Sequence, residues 1–168
     1  IGLVEIFSGN WHQISYDYRL EMKILVVTGS RADWCLLVPL LVRLRQDSRF
    51  NLVLVVTGQH LNPGAQSSLV EISKAGFKID AKIDMLLEDN NTTETLTAAM
   101  GRATTGVGHI INQINPNMML VLGDRYEILA VVSAALLCNL PVAHLCGGDV
   151  TEGAVDDSIR HAITKMSS

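Results

Sequence analysis

The sequence is short of several things, and each shortage excludes a class. Its 168 residues include only 4 Pro, and 18% are charged against 48% hydrophobic. That excludes disorder, collagen and a coiled coil, and leaves apolar material for one domain with a sizeable core. Positive charge is not in excess: 13 Lys and Arg face 17 Asp and Glu, a formal net charge of -4. A non-specific nucleic-acid binder is therefore not expected, although a few arginines and backbone N–H groups could still hold a phosphate locally. The longest apolar run, Ile128 to Cys138, is interrupted by Ser133 and falls short of the roughly 20 residues of a membrane span. The first residues carry Glu5 and no basic stretch ahead of the apolar ones, which is not the pattern of a secretory signal. Cys35, Cys138 and Cys146 show no CxxC spacing, so reduced thiols in a cytoplasmic protein are expected. His144 and Cys146 form an H-x-C pair, too little for zinc, and no metal is expected. Neither a G-x-G-x-x-G fingerprint nor a P-loop follows the first apolar run, which weighs against NAD and against P-loop nucleotide hydrolysis.

What is present is alternation. Lys23–Thr28 is short, β-branched and apolar, the signature of a strand buried on both faces. After the Gly29–Ala32 turn, Leu37, Leu40, Leu41 and Leu44 fall at helical spacing. This predicts a helix over 33–46, with Asp33 as its cap or first-turn acid and Pro39 marking a kink or a late start. Further strands are predicted at 51–57, 77–83, 118–122 and 141–145. Helices are predicted at 67–75, 93–114, 126–138 and from Asp156 to Met166, and Glu88–Thr93 reads as an acidic loop. Strands alternating with helices mean βαβ units and a parallel sheet, here in the order 3-2-1-4-5. Residues 1–21 have no clear period, and Met22 opens the first strand. They read as an extension upstream of a natural start, or alternatively as an arm packed on the domain.

In such a sheet a ligand lies beyond the carboxyl ends of the strands, and polar residues gather there. The first strand leads into Gly29-Ser30-Arg31-Ala32-Asp33, the second into Gly58-Gln59-His60, and the fourth into Gly123-Asp124-Arg125. The fifth leads from His144 through Asp149 to Thr151-Glu152-Gly153 and Asp156-Asp157. Arginines offer a fork for phosphate and the carboxylates offer acid–base chemistry. Each also has an ordinary reading: Asp124 and Asp156 as helix caps, Arg125 as the partner of Glu127, His60, His144 and His161 as structural histidines.

Arg31-Ala32-Asp33-Trp34, Gly123-Asp124-Arg125, His144-Leu145-Cys146-Gly147-Gly148-Asp149 and Asp156 to Lys165 occur in that order and at suitable spacing. Together, from Met22 to about Met166, they resemble the blocks of the hydrolysing UDP-N-acetylglucosamine 2-epimerases of sialic and related nonulosonic acid biosynthesis. The resemblance implies an α/β, Rossmann-like parallel sheet with helices on both faces. It would be the amino-terminal half of a two-domain glycosyltransferase-B-type fold, with the second domain absent here. It implies elimination of UDP from UDP-N-acetylglucosamine with removal of the C2 proton, then hydration to N-acetylmannosamine. No redox cofactor is implied; a homo-oligomer is, at full length. Asp124 and Asp156 would be catalytic carboxylates, with Asp149 a third candidate. Arg31 and Arg125 would contact the nucleotide or its phosphates, and His60 would line the sugar pocket.

Two positions depart from the family pattern. Cys35 stands where relatives often have Gly or Ser, and its Cβ would crowd the phosphate approach. Cys146 stands where relatives carry Glu or His, and a thiol with an ordinary pKa near 8.5 does not replace a carboxylate. Both are placed among the candidate substrate-binding residues. A transferase of the same architecture and a non-enzymatic α/β binding module remain the alternatives.

Overall fold

The computed structural model describes residues 21–62, 64, 66–86, 92–150 and 155–168. The readings made for residues 1–20, for most of the acidic loop and for Thr151-Glu152-Gly153 lie outside these residues. Five strands form one parallel sheet: β1 (Met22–Thr28), β2 (Phe50–Thr57), β3 (Ala81–Ile83), β4 (Met118–Leu122) and β5 (Val142–Leu145), in the order β3-β2-β1-β4-β5. Pairing is parallel at every step, with Met22 opposite Phe50 and Ile24 opposite Met118. The α-helices among the described residues are α1 (Arg31–Gln46), α2 (Gln66–Lys74), α3 (Thr93–Ile114), α4 (Tyr126–Leu137) and α5 (Val155–Met166).

The two-residue period of the strands divides the core into two layers. Ile24 and Val26 of β1, with Leu54, Val56, Leu120 and Leu122, face Trp34, Leu37 and Leu41 of α1 and Ile72 of α2. Leu25 and Val27, with Val55, Met119 and Val121, face α3, α4 and Ile163 of α5. Small residues at Ala99, Ala103, Ala130, Ala134 and Ala135 are buried where α3 and α4 pack on the sheet. Among the described residues no helix is long and apolar enough to cross a membrane.

Two boundaries differ from the sequence reading by more than one residue. The third strand begins at Ala81, not Phe77. Phe77 turns inward and packs edge-on against Trp34, with centroids 5.3 Å apart. The Asp80 carboxylate then accepts the backbone N–H of Leu54 at 2.9 Å, and Asp80 N–H donates to the Leu54 carbonyl. A side chain thus fills the place that a ladder bond would take. Helix α1 begins at Arg31, capped by Ser30, whose Oγ accepts from Asp33 N–H at 3.2 Å. Asp33 is its first-turn acid, and Pro39 lies inside the helix without delaying its start. Pro39 and Cys35 are both exposed, so the Cys35 carbonyl that Pro39 leaves without a helical donor can be hydrated.

Candidate active site

Strand polarity sets the site. The turns after β1, β2, β4 and β5 all emerge on one rim, and the start of α5 returns to it, because the far end of α5 leads to Ser168, whose N–H bonds the Val142 carbonyl at the opposite end of β5. Arg31, Cys35, His60, Asp124, Arg125, Cys146, Asp149 and Asp156 all belong to these turns or to the first turns of the following helices. The buried polar residues are gathered at the same end: Thr28, Ser30, Asp33, Thr57, His60, Ser68, Glu127 and Arg160. Buried polar groups cost free energy unless satisfied, so this layer marks the rim as distinct from the apolar centre.

The β4–β5 side carries a linked set of charges. Asp124 is not the cap of α4; Arg125 occupies that position without a capping side-chain bond. Asp124 Oδ2 is paired with Nη2 of Arg160 from α5. Nη1 of Arg160 donates to the Asp149 carbonyl at 2.9 Å, and Asp124 raises the Arg160 pKa through their hydrogen bond. His144 completes the link. Its Nε2 lies 2.7 Å from the Gly123 carbonyl, which only accepts, so Nε2 carries a proton; Nδ1 lies 3.0 Å from Thr164 Oγ1. A Cβ on Gly147 would sit 2.6 Å from Thr164 Oγ1 and 2.8 Å from His144 Nδ1, so any side chain here would force that pair to shift. Three sequence blocks far apart in the chain are therefore one hydrogen-bonded unit. Asp149 and Asp156 are exposed beside it. Cys146 is exposed with φ of 61°, a left-handed conformation uncommon for any side chain but glycine or asparagine.

The β1–β2 side is different. His60 is 1% exposed, with Nε2 3.1 Å from Thr28 Oγ1 and Nδ1 3.0 Å from Ser68 Oγ. Burial lowers its pKa. It lies beneath the rim, and both ring nitrogens are met by neighbouring hydroxyls. Arg31 points its guanidinium at Glu71 of α2, 2.6 Å away. Cys35 is exposed on α1.

Between the two sides lies a group that the sequence reading did not place in the site. Glu127, in the first turn of α4, is fully buried and accepts from Arg125 Nε at 2.5 Å. Burial raises its pKa against the opposing effect of Arg125. Asp33 is raised for the same reason, opposed by Ser30 hydrogen bonding and then by the Arg125 charge. The signal was present in the sequence: one acid inside the otherwise apolar run from Tyr126 to Cys138.

A model of the UDP-N-acetylglucosamine 2-epimerase family matches residues 42–168. The chain belongs to this family. Within it, the chain is 43% identical over 147 residues to a GDP/UDP-N,N'-diacetylbacillosamine 2-epimerase (hydrolyzing) of Campylobacter jejuni, covering 88% of this chain and 38% of that protein. It is 39% identical to a UDP-N,N'-diacetylbacillosamine 2-epimerase (hydrolyzing) of Legionella pneumophila, covering 86% and 38%, and 33% identical to a UDP-N-acetylglucosamine 2-epimerase of Neisseria meningitidis, covering 86% and 37%. The chain thus spans about two-fifths of the length of these curated relatives. The fold matches that of a solved Neisseria meningitidis UDP-GlcNAc 2-epimerase bound to UDP-GlcNAc, with a TM-score of 0.74, 20% identity, and coverage of 87% of this chain and 39% of that one. The sheet is that of one Rossmann-like half of these glycosyltransferase-B-type epimerases.

Proposed function

We propose that residues 22–168 form the amino-terminal, carboxylate-bearing half of a hydrolysing 2-epimerase acting on a UDP-activated 2-acetamido sugar. The observation that carries this reading is the unit on the β4–β5 side of the rim. There Asp124 is held by Arg160, beside Arg125 on the same turn and near the exposed Asp149 and Asp156. The reaction removes the C2 proton and expels UDP from C1, giving an unsaturated sugar. Water then supplies hydroxyl to C1 and a proton to C2 from the other face, so that UDP-N-acetylglucosamine plus water becomes N-acetylmannosamine plus UDP. The C2 proton is not acidic, so elimination needs positive charge building at C1 with a base at hand. Asp124 and Asp156, with Asp149 as a third candidate, supply negative charge and proton acceptors. Arg125 supplies a cation for the departing diphosphate. At the Cys146 position a thiol stands in this sequence, so proton transfer falls to the three aspartates.

UDP-N-acetylglucosamine is the first reading of the substrate; the UDP-linked diacetylated trideoxy sugar is the second, favoured by the higher identity to the two diacetylbacillosamine enzymes than to the Neisseria UDP-N-acetylglucosamine enzyme. The test is to give the full-length protein each UDP-sugar in D2O. Free UDP, together with a free sugar inverted at C2 and carrying deuterium there, supports the proposal. A UDP-linked epimer without UDP release, or a glycosylated acceptor, refutes it.

A further inference from the structure

We propose that Glu127 is a positioning residue: its buried carboxylate holds Arg125 by Nε, between the turns that follow β1 and β2, so that the remaining guanidinium nitrogens meet an anionic diphosphate above the rim. The inference rests on the sugar-nucleotide reading above for its ligand, and on geometry for its mechanism.

Glu127 is 0% exposed, whereas the Arg125 side chain is 31% exposed. The pair therefore runs from the interior to the surface, with the anionic member inside. The glycines around it are shaped to admit it. A Cβ on Gly29 would lie 2.7 Å from Glu127 Cγ, and one on Gly58 would lie 3.0 Å from Glu127 Oε1. Gly29 and Gly58 follow β1, the neighbour of β4, and β2, the next strand out, so one side chain of α4 is wedged against both turns. Its second oxygen, Oε2, is buried with no hydrogen-bond partner among the described residues, and the same is true of Asp33 Oδ2. A carboxylate kept for stability alone would be expected to use both oxygens, because an unsatisfied buried acceptor is costly. The Asp33 charge also acts on Arg125, after that of Glu127. A side chain held at Nε by a charge-assisted bond loses little freedom when its outer nitrogens bind a phosphate.

The test uses the full-length protein and three readouts: UDP affinity by calorimetry, melting temperature, and the nitrogen-15 signal of the Arg125 Nε–H group. Glu127→Gln keeps shape and removes charge. The expected result is UDP binding weakened about tenfold, beside a lowered melting temperature, since removing one partner of a buried pair is destabilising; the affinity therefore carries the test. In an Arg125→Ala background the same change should alter UDP affinity by less than about twofold, because the two residues act as one. Equal weakening in both backgrounds, or a lowered melting temperature with unchanged affinity, overturns the proposal. Should Glu127→Gln fail to fold, Gly29→Ala displaces the same carboxylate and must weaken UDP binding likewise; unchanged affinity there also overturns it. If the unaltered protein binds no UDP, the functional reading fails. The clamp is then judged on the Nε–H signal alone, which Glu127→Gln must shift and which, left unmoved, refutes it.

Discussion

The two sides of the rim use charge in opposite ways. On the β1–β2 side His60 and Arg31 are each met by neighbours: His60 lies between Thr28 and Ser68, and Arg31 is paired with Glu71. On the β4–β5 side the charges are linked but stay near the surface. Asp124 and Arg160 are paired, and Asp149, Asp156 and Cys146 are exposed. A turn that closes on itself builds a floor; a turn that leaves carboxylates at the surface can meet a substrate. The proposed function places chemistry on the second side and support on the first, and substitutions on each side can break that division.

The largest effect is expected at Asp124. Asp124→Asn in the full-length protein should lower kcat at least about 100-fold, the lower end for an acid–base group, with KM little changed. Steady-state UDP release measures it. A kcat within about twofold of the parent would reduce Asp124 to a structural partner of Arg160.

On the supporting side the largest effect should be on folding. Gly58 has φ of +56°, and a Cβ there would meet the Gly29 carbonyl oxygen at 2.9 Å and Glu127 Oε1 at 3.0 Å. Backbone and a buried carboxylate cannot both move aside. Gly58→Ala should destabilise by about 2–4 kcal/mol, through strain at positive φ and overpacking. Denaturant titration reads this directly. A cost below about 0.5 kcal/mol would mean that the turn is looser than the contacts imply.

His60 gives a pH signature on the same side. Burial lowers its folded pKa below the ordinary 6.5, so between those values the unfolded chain binds more protons than the folded one. Stability is then fully present above about pH 6.5 and is lost as pH falls through the lowered value. Asp33 and Glu127 run the other way: their raised values make the folded state bind more protons, so their contribution is lost as pH rises from the ordinary carboxylate range. His60→Gln should flatten the decline in melting temperature between pH 7 and pH 5, leaving the carboxylate trend. An unchanged slope would show that another group carries it.

The sheet was legible because its information is local and redundant. Apolar runs, glycine turns and helical stripes agreed, and the predicted order matches the observed β3-β2-β1-β4-β5. What escaped the sequence was long-range. Asp80 replacing a ladder bond to Leu54 cannot be seen in an alternating pattern. Arg160 reaching Asp124 and Asp149 joins residues whose spacing carries no helical or strand period. His60 and Arg31 follow strand ends as their positions require, yet the direction of each side chain is set by α2, through Ser68 and Glu71. Residue type fixed which groups reach the rim; packing between distant elements fixed which of them face outward.

The smallest effect separates these two readings of Arg31. The family resemblance assigns it to the nucleotide phosphates, whereas its guanidinium lies 2.6 Å from Glu71, with 66% of the side chain exposed. An exposed ion pair contributes little, because both partners are well solvated and lose side-chain entropy on pairing. Arg31→Ala should therefore cost no more than about 1 kcal/mol of stability, less at high salt. If Arg31 only joins α1 to α2, UDP affinity should stay within about twofold of the parent. The measurement is calorimetry with UDP at two salt concentrations, beside Glu71→Gln as a control that frees Arg31. A tenfold loss in Arg31→Ala, with affinity retained or improved in Glu71→Gln, would show that Arg31 leaves Glu71 for the diphosphate, and the first side of the rim would then belong to the site as well.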